Sequence, residues 1–123
     1  GASAEPVFVP VERFTLVWTH SIEKVRWEED YAIVRSPDGR TLQLKALKAR
    51  VRGSAAGMEP PADAVLRDGR YEYPPVSWSP EGLRLTRPIY TADYEWCQHG
   101  QCQPMGQWLA SDGDVTLLTP CAR

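Results

Sequence analysis

Few residues in this sequence are able to do chemistry: three cysteines, two histidines and a scatter of carboxylates among 123 residues. Cys97 and Cys102 enclose Gln98-His99-Gly100-Gln101, whereas Cys121 stands alone. A zinc site would need two further soft ligands, and only Cys121, His20 and His99 remain to supply them. His99 lies inside the loop, too close to both cysteines for an easy tetrahedron. A disulfide asks only that the two cysteines face each other as a cross-strand pair, with Cα atoms about 4.5–5.5 Å apart. The spacing favours a disulfide between Cys97 and Cys102 over a metal pair or free thiols, with Cys121 bonded to neither. A disulfide in turn favours an oxidising compartment such as a periplasm or cell exterior.

A second group is His20-Ser21-Ile22-Glu23-Lys24, leading into Trp27-Glu28-Glu29-Asp30. Histidine changes charge near neutral pH, and a carboxylate beside it would orient and charge it. On a continuing strand, His20 and Ile22 share one face while Ser21 and Glu23 share the other. His20 is therefore badly placed as a base for Ser21. Ligation by His20, Glu23 and Glu28 matches no established zinc spacing. Ser54 lacks the Gly-x-Ser-x-Gly frame of a nucleophile elbow. The expectation is a chain that is not an enzyme and needs no metal or cofactor. A hydrolase using His20 with a carboxylate is the competing reading, and a solvated polar strand end is the ordinary one.

The loop Gly53-Ser54-Ala55-Ala56-Gly57 suits another task. Small residues let backbone N–H groups converge on an anion, and Arg50 and Arg52 stand just before it to clamp a carboxylate or phosphate. The plain alternative is a tight corner over the core. Strand one ends near residue 20, strand two begins near 30, and strand three returns to about 52. An antiparallel meander of this kind puts both motifs at one end of the sheet. The expected binding site is thus His20, Ser21, Glu23, Arg52, Gly53, Ser54, Gly57 and Met58. Within it, either Glu23 or Ser21 holds the loop by its N–H groups, or the loop and Arg52 grip an anion.

The elements that must position these residues are short strands. Phe14, Leu16 and Trp18 alternate with Thr15, Val17 and Thr19, and Tyr31 and Ile33 alternate with Ala32 and Val34. Ser36-Pro37-Asp38-Gly39 turns the chain. Leu42, Leu44 and Ala46 share a face, after which the phase slips to Leu47, Ala49 and Val51, so a β-bulge is expected near Ala46. Further strands are expected at 71–73, 83–86, 94–97, 102–109 and 115–119, with at most a helical turn at 62–66. Trp18, Trp96 and Trp108 fall in strands and belong to the core, whereas Trp27 and Trp78 fall in connecting segments. The fold class is all-β, a small antiparallel sandwich or barrel of about eight short strands.

Composition sets the outer limits. Apolar residues make up 42% and charged residues 24%, ordinary values that exclude wholesale disorder. A net charge of -2 advertises no nucleic-acid partner. No apolar run approaches the roughly 20 residues needed to span a bilayer as a helix. One domain over residues 1–123 is expected, with 1–5 a tag remnant or disordered start and any native signal or membrane anchor already removed.

The run Phe14-Thr15-Leu16-x-x-x-His20-Ser21-Ile22-Glu23-Lys24, then Glu28-Glu29-x-Tyr31, resembles the opening motif of the bacterial family catalogued as domain of unknown function 1850. Gly53-Ser54-Ala55-Ala56-Gly57-Met58 resembles its second motif, and Cys97 with Cys102 resembles a pair seen in many members. The resemblance covers most of residues 12–110. It implies a periplasmic or cell-envelope accessory to solute uptake, often encoded beside TRAP transporters of the TAXI type. Implied partners are the transporter's membrane or solute-binding subunits and a small organic anion. The family assigns no catalytic residue, so none is carried over. A purely structural interaction domain is the third reading.

Overall fold

The computed structural model describes residues 5–19, 24–52, 64–74, 79–111 and 113–122. Among them the chain forms β1 (Arg13–Thr19), β2 (Arg26–Arg35), β3 (Leu42–Arg52), β4 (Val65–Arg67), β5 (Arg70–Tyr73), β6 (Leu83–Thr86), β7 (Glu95–Gln98), β8 (Gln101–Pro104) and β9 (Val115–Leu118). A 3₁₀ turn, Met105–Gln107, follows β8. The strands make a seven-stranded sheet in the order β4-β5-β3-β2-β1-β7-β8 and a two-stranded sheet of β6 and β9, with every neighbouring pair antiparallel. The all-β class holds.

The period-two pattern becomes a two-faced sheet. Phe14 pairs with Tyr31 and Leu16 with both Glu29 and Trp96, so these side chains share the inner face. Phe14, Leu16, Tyr31, Leu44, Ala46 and Trp96 are buried there, and Leu85 and Met105 close over them. Leu118 of β9 packs against the same cluster. Burial of each large apolar side chain contributes about 1.5–3 kcal/mol, which is what holds the small sheet on the large one.

The bulge lies where the phase slip puts it. Tyr31 faces Ala46 but Asp30 faces Lys48, leaving Leu47 as the extra residue in β3. Without it, Ala49 and Val51 would point outward; with it, both are buried on the inner face.

Three expectations change. Val65–Arg67 forms a strand instead of part of a helical turn, because Asp68 and Gly69, with φ 51° and 77°, make a two-residue hairpin that folds it onto β5. The strand from Cys102 stops at Pro104, which has no N–H to continue a ladder, and the Met105 N–H turns to the Tyr94 carbonyl. β2 begins at Arg26, earlier than its apolar alternation, so Trp27 belongs to a strand. The polar residues Glu28 and Asp30 are tolerated there because arginines meet them on the outer face. Trp18 and Trp108 are half-buried, and Trp78 lies outside the described residues.

Arg87 ties the second layer together. Its guanidinium, 1% exposed, donates to both Asp93 carboxylate oxygens, to Thr116 Oγ1 and to the Leu109 carbonyl. Every acceptor is within 3.0 Å, and the four bonds offset the cost of burying the charge. The Arg87 bonds hold the loop before β7, the segment after the 3₁₀ turn and β9 on one post.

Candidate functional site

A cleft of about 1140 Å³ opens beside β9. Its floor is aromatic. Phe14 stacks on Trp96 with centroids 4.2 Å apart, Trp108 meets Trp96 edge-on at 5.2 Å, and Tyr31, outside the cleft lining, backs Phe14 at 5.4 Å. Tyr31, Phe14 and Trp96 come together because β2, β1 and β7 are adjacent and in register. One wall is β9 and the residues flanking it, and the other is the N-terminal segment from Glu5 to Glu12. Val9 and Val11 of that segment pack against the core cluster. Leu42, Leu44 and Ile33 extend the apolar surface.

Charge enters the cleft at its margins. Arg35 and Arg84 line it, and neither meets a carboxylate among the described residues; Arg35 donates only to the Gly39 carbonyl, at 3.4 Å. Glu5, Glu12 and Asp114 share the margin, with Asp114 accepting the Val115 N–H. Such an arrangement fits a ligand with an apolar body and one negative group. A polyanion would meet three carboxylates. The volume lies slightly above the usual range for small-molecule sites, about 300–1,000 Å³.

The outer face of the large sheet carries a different cluster. Arg50 donates Nε to Glu28 at 2.9 Å and both Nη groups to Asp30 at 2.6 and 2.8 Å. Glu28 also receives Arg70 at 2.6 Å and Arg26 at 3.1 Å. Thr15 donates to Asp30 at 2.7 Å, and Arg26 reaches across β1 to Glu95 at 3.2 Å. Burial alone would raise the carboxyls of Glu28 and Asp30, but hydrogen bonds from Arg50 outweigh it, with Arg26 helping at Glu28 and Thr15 at Asp30. Both lie below the ordinary carboxylate range. These carboxylates hold no proton to give near neutrality. Arg50, expected to clamp an anion, is occupied by its own protein's carboxylates.

Beside this cluster a smaller cavity of about 370 Å³ is lined by Arg13, Thr15, Asp30, Arg50, His99 and the cysteine pair. Cys97 and Cys102 are disulfide-bonded, with Cα atoms 4.0 Å apart, and Cys121 is free and exposed. The expected pairing holds. His99 and Gly100, at φ 51° and 76°, form the two-residue turn that brings the cysteines into register. Closing so short a loop stabilises by only about 2 kcal/mol in the chain-entropy picture.

The remaining expected site residues, His20, Ser21, Glu23, Gly53, Ser54, Gly57 and Met58, lie outside the described residues. Arg52 is the last residue of β3, in register with Arg70. Thr19 at the end of β1 pairs with Arg26 at the start of β2, whose next residue, Trp27, pairs with Val51.

The profile of a protein family, described as domain of unknown function 1850, matches residues 14–105. The chain belongs to this family. Within the 1850 domain, the match runs from the first ring of the aromatic floor to the 3₁₀ turn, taking in β1 to β8. No curated protein and no solved structure matches the chain.

The cleft was invisible to motif reading, since its walls come from both ends of the sequence and no local pattern marks it. The outer cluster did leave a signal. Arg26, Glu28 and Asp30 alternate on β2 as Lys48 and Arg50 do on β3, a charge-complementary pair of strand faces.

Proposed function

We propose that this chain is a noncatalytic extracytoplasmic binding domain serving a TRAP-type solute uptake system of the TAXI type, and that its cleft takes an organic acid with an apolar body. The observation that carries the reading is the cleft: an aromatic floor under a margin where Arg35 and Arg84 have no carboxylate partner among the described residues. The transport association rests on the family resemblance. The disulfide supports an oxidising compartment. The noncatalytic reading is supported by the outer cluster, whose acids are consumed in ion pairs.

Thermal-shift measurements against apolar monocarboxylates, dicarboxylates and neutral amides of the same acids test it. Monocarboxylates should raise the melting point by several degrees, with Arg84→Ala and Arg35→Ala together removing the shift. A shift equally large with the amides, or one that survives both substitutions, overturns the anion site. Turnover on an ester or glycoside panel that His20→Ala abolishes overturns the noncatalytic reading.

One observation favours the interaction reading. Ile89 and Tyr90 are 78% and 86% exposed on a turn that Arg87 and Asp93 anchor rigidly at its base. Exposed aromatic and aliphatic side chains on a preorganised turn are the kind of anchor that protein interfaces use. A pull-down from membranes that fails with Tyr90→Ser but is indifferent to added organic acids would favour a structural partner over a ligand-binding one.

A further inference from the structure

We propose that the Cys97–Cys102 disulfide is an exchange site that accepts electrons from a dithiol, instead of a staple that holds the fold. This stands apart from the cleft and does not depend on it. Three observations on different levels meet here.

The first is topological. The bond joins β7 to β8, strands already connected by their own ladder and a two-residue turn. β8 is the outer strand of the sheet, so the covalent link ties nothing distant. Only four residues lie between the cysteines, which makes the bond a minor constraint on the unfolded chain.

The second is access. Cys102 is exposed, and the pair opens onto the outer cavity. An attacking thiolate therefore has a path to the Cys102 sulfur without unfolding the chain.

The third is electrostatic. Cys97 pairs with Thr15 on β1, and Arg13, two residues earlier on the same face, lines the same cavity. The carboxylates there, Glu28 and Asp30, are answered by Arg50, Arg26 and Arg70. Arg13 meets no carboxylate among the described residues, so its charge is available to a thiolate leaving at Cys97.

The exchange balances as follows. A partner thiolate attacks Cys102 Sγ, the Cys97–Cys102 bond breaks, and Cys97 leaves as a thiolate that takes up a proton. The partner's second thiolate then attacks its own sulfur in the mixed disulfide, and Cys102 leaves. The partner has lost two electrons and two protons and holds a new disulfide; this chain holds two thiols.

The test uses the folded chain with Cys121→Ser, which prevents scrambling. It is incubated with dithiothreitol or reduced glutathione at pH 7, acid-quenched, alkylated and weighed. Opening should run roughly tenfold or more faster than global unfolding in the same buffer, with the far-ultraviolet spectrum retained. Arg13→Ala should slow it roughly three- to tenfold. A bond that opens only at the rate of global unfolding overturns the proposal, and the Cys121→Ser chain alone decides this even if Arg13→Ala folds poorly. An opening rate indifferent to Arg13→Ala overturns the assigned leaving group.

Discussion

Arg50 grips Asp30 with both terminal guanidinium nitrogens, at 2.6 and 2.8 Å, from the neighbouring strand. Neither residue is the other's register partner: Asp30 faces Lys48 and Arg50 faces Glu28. The fork therefore runs diagonally and leaves Arg50 Nε for Glu28. One arginine links three positions on two strands beside the bulge.

Asp30→Asn should cost about 1.5–3 kcal/mol at pH 7, the range for a hydrogen bond to a charged group. The folded carboxyl lies below its ordinary value, so the pair's contribution is present above the unfolded value near about pH 4 and is lost as pH falls through the folded value. Urea unfolding of both proteins at pH 7 and below about pH 3 measures this. The two curves should converge in acid, and a penalty that stays constant would rule out the ion pair as its source.

Tyr31 and Tyr94 should be the last tyrosines to ionise. Burial holds both hydroxyls protonated, and the Glu29 carboxylate beside them pushes further in the same direction. Their folded values are raised, so the stabilisation is complete below about pH 10 and is lost as pH rises through the folded values. A spectrophotometric titration of the five tyrosines should show two that ionise late, together with alkaline unfolding. Five superimposable titrations would contradict the burial.

Gly82→Ala should destabilise by about 2 kcal/mol or more. Gly82 sits at φ 146°, and a Cβ there would press directly on the Leu118 carbonyl oxygen. Thermal unfolding of the single variant is sufficient. A neutral result would mean that β6 and β9 separate more easily than their ladder implies.

Arg87→Lys keeps the charge but cannot reproduce the fork to Asp93 while reaching Thr116 and the Leu109 carbonyl. A loss of about 2–4 kcal/mol is expected, since at least one buried acceptor is abandoned. Chemical denaturation would read it, and hydrogen exchange should report loosening at β9 before the large sheet.

Local alternation made most of the fold legible. Phe14-Leu16 and Leu44-Ala46 announced their faces, the slip at Leu47 announced the bulge, and the cysteine spacing announced a hairpin. What escaped depends on distant partners. Glu28 and Asp30 alternate in charge against Lys48 and Arg50, but only the paired strands bring Arg50 diagonally to Asp30 and Arg70 to Glu28. Val65 and Leu66 looked helical because β4 is a strand only through its pairing with β5. The cleft escaped for a similar reason: Val9, Arg84 and Trp108 are far apart in sequence and meet only when the two sheets stack.

The strand order also dictates a sequence of assembly. From β1 to β3 the neighbours are successive in the chain, and β4 with β5 is another local hairpin, so these pairings close small loops. β7 instead docks on β1, bringing Cys97 beside Thr15 from the far end of the family-matched stretch. That closure is entropically the most expensive in the large sheet, and it requires β1 to wait with one edge bare. Until it happens, the Phe14 ring lacks Trp96 and the cleft has no floor. A chain emerging from a ribosome or a translocon would thus hold an incomplete sheet until its last third arrived, with β1 open to pairing with a neighbouring molecule.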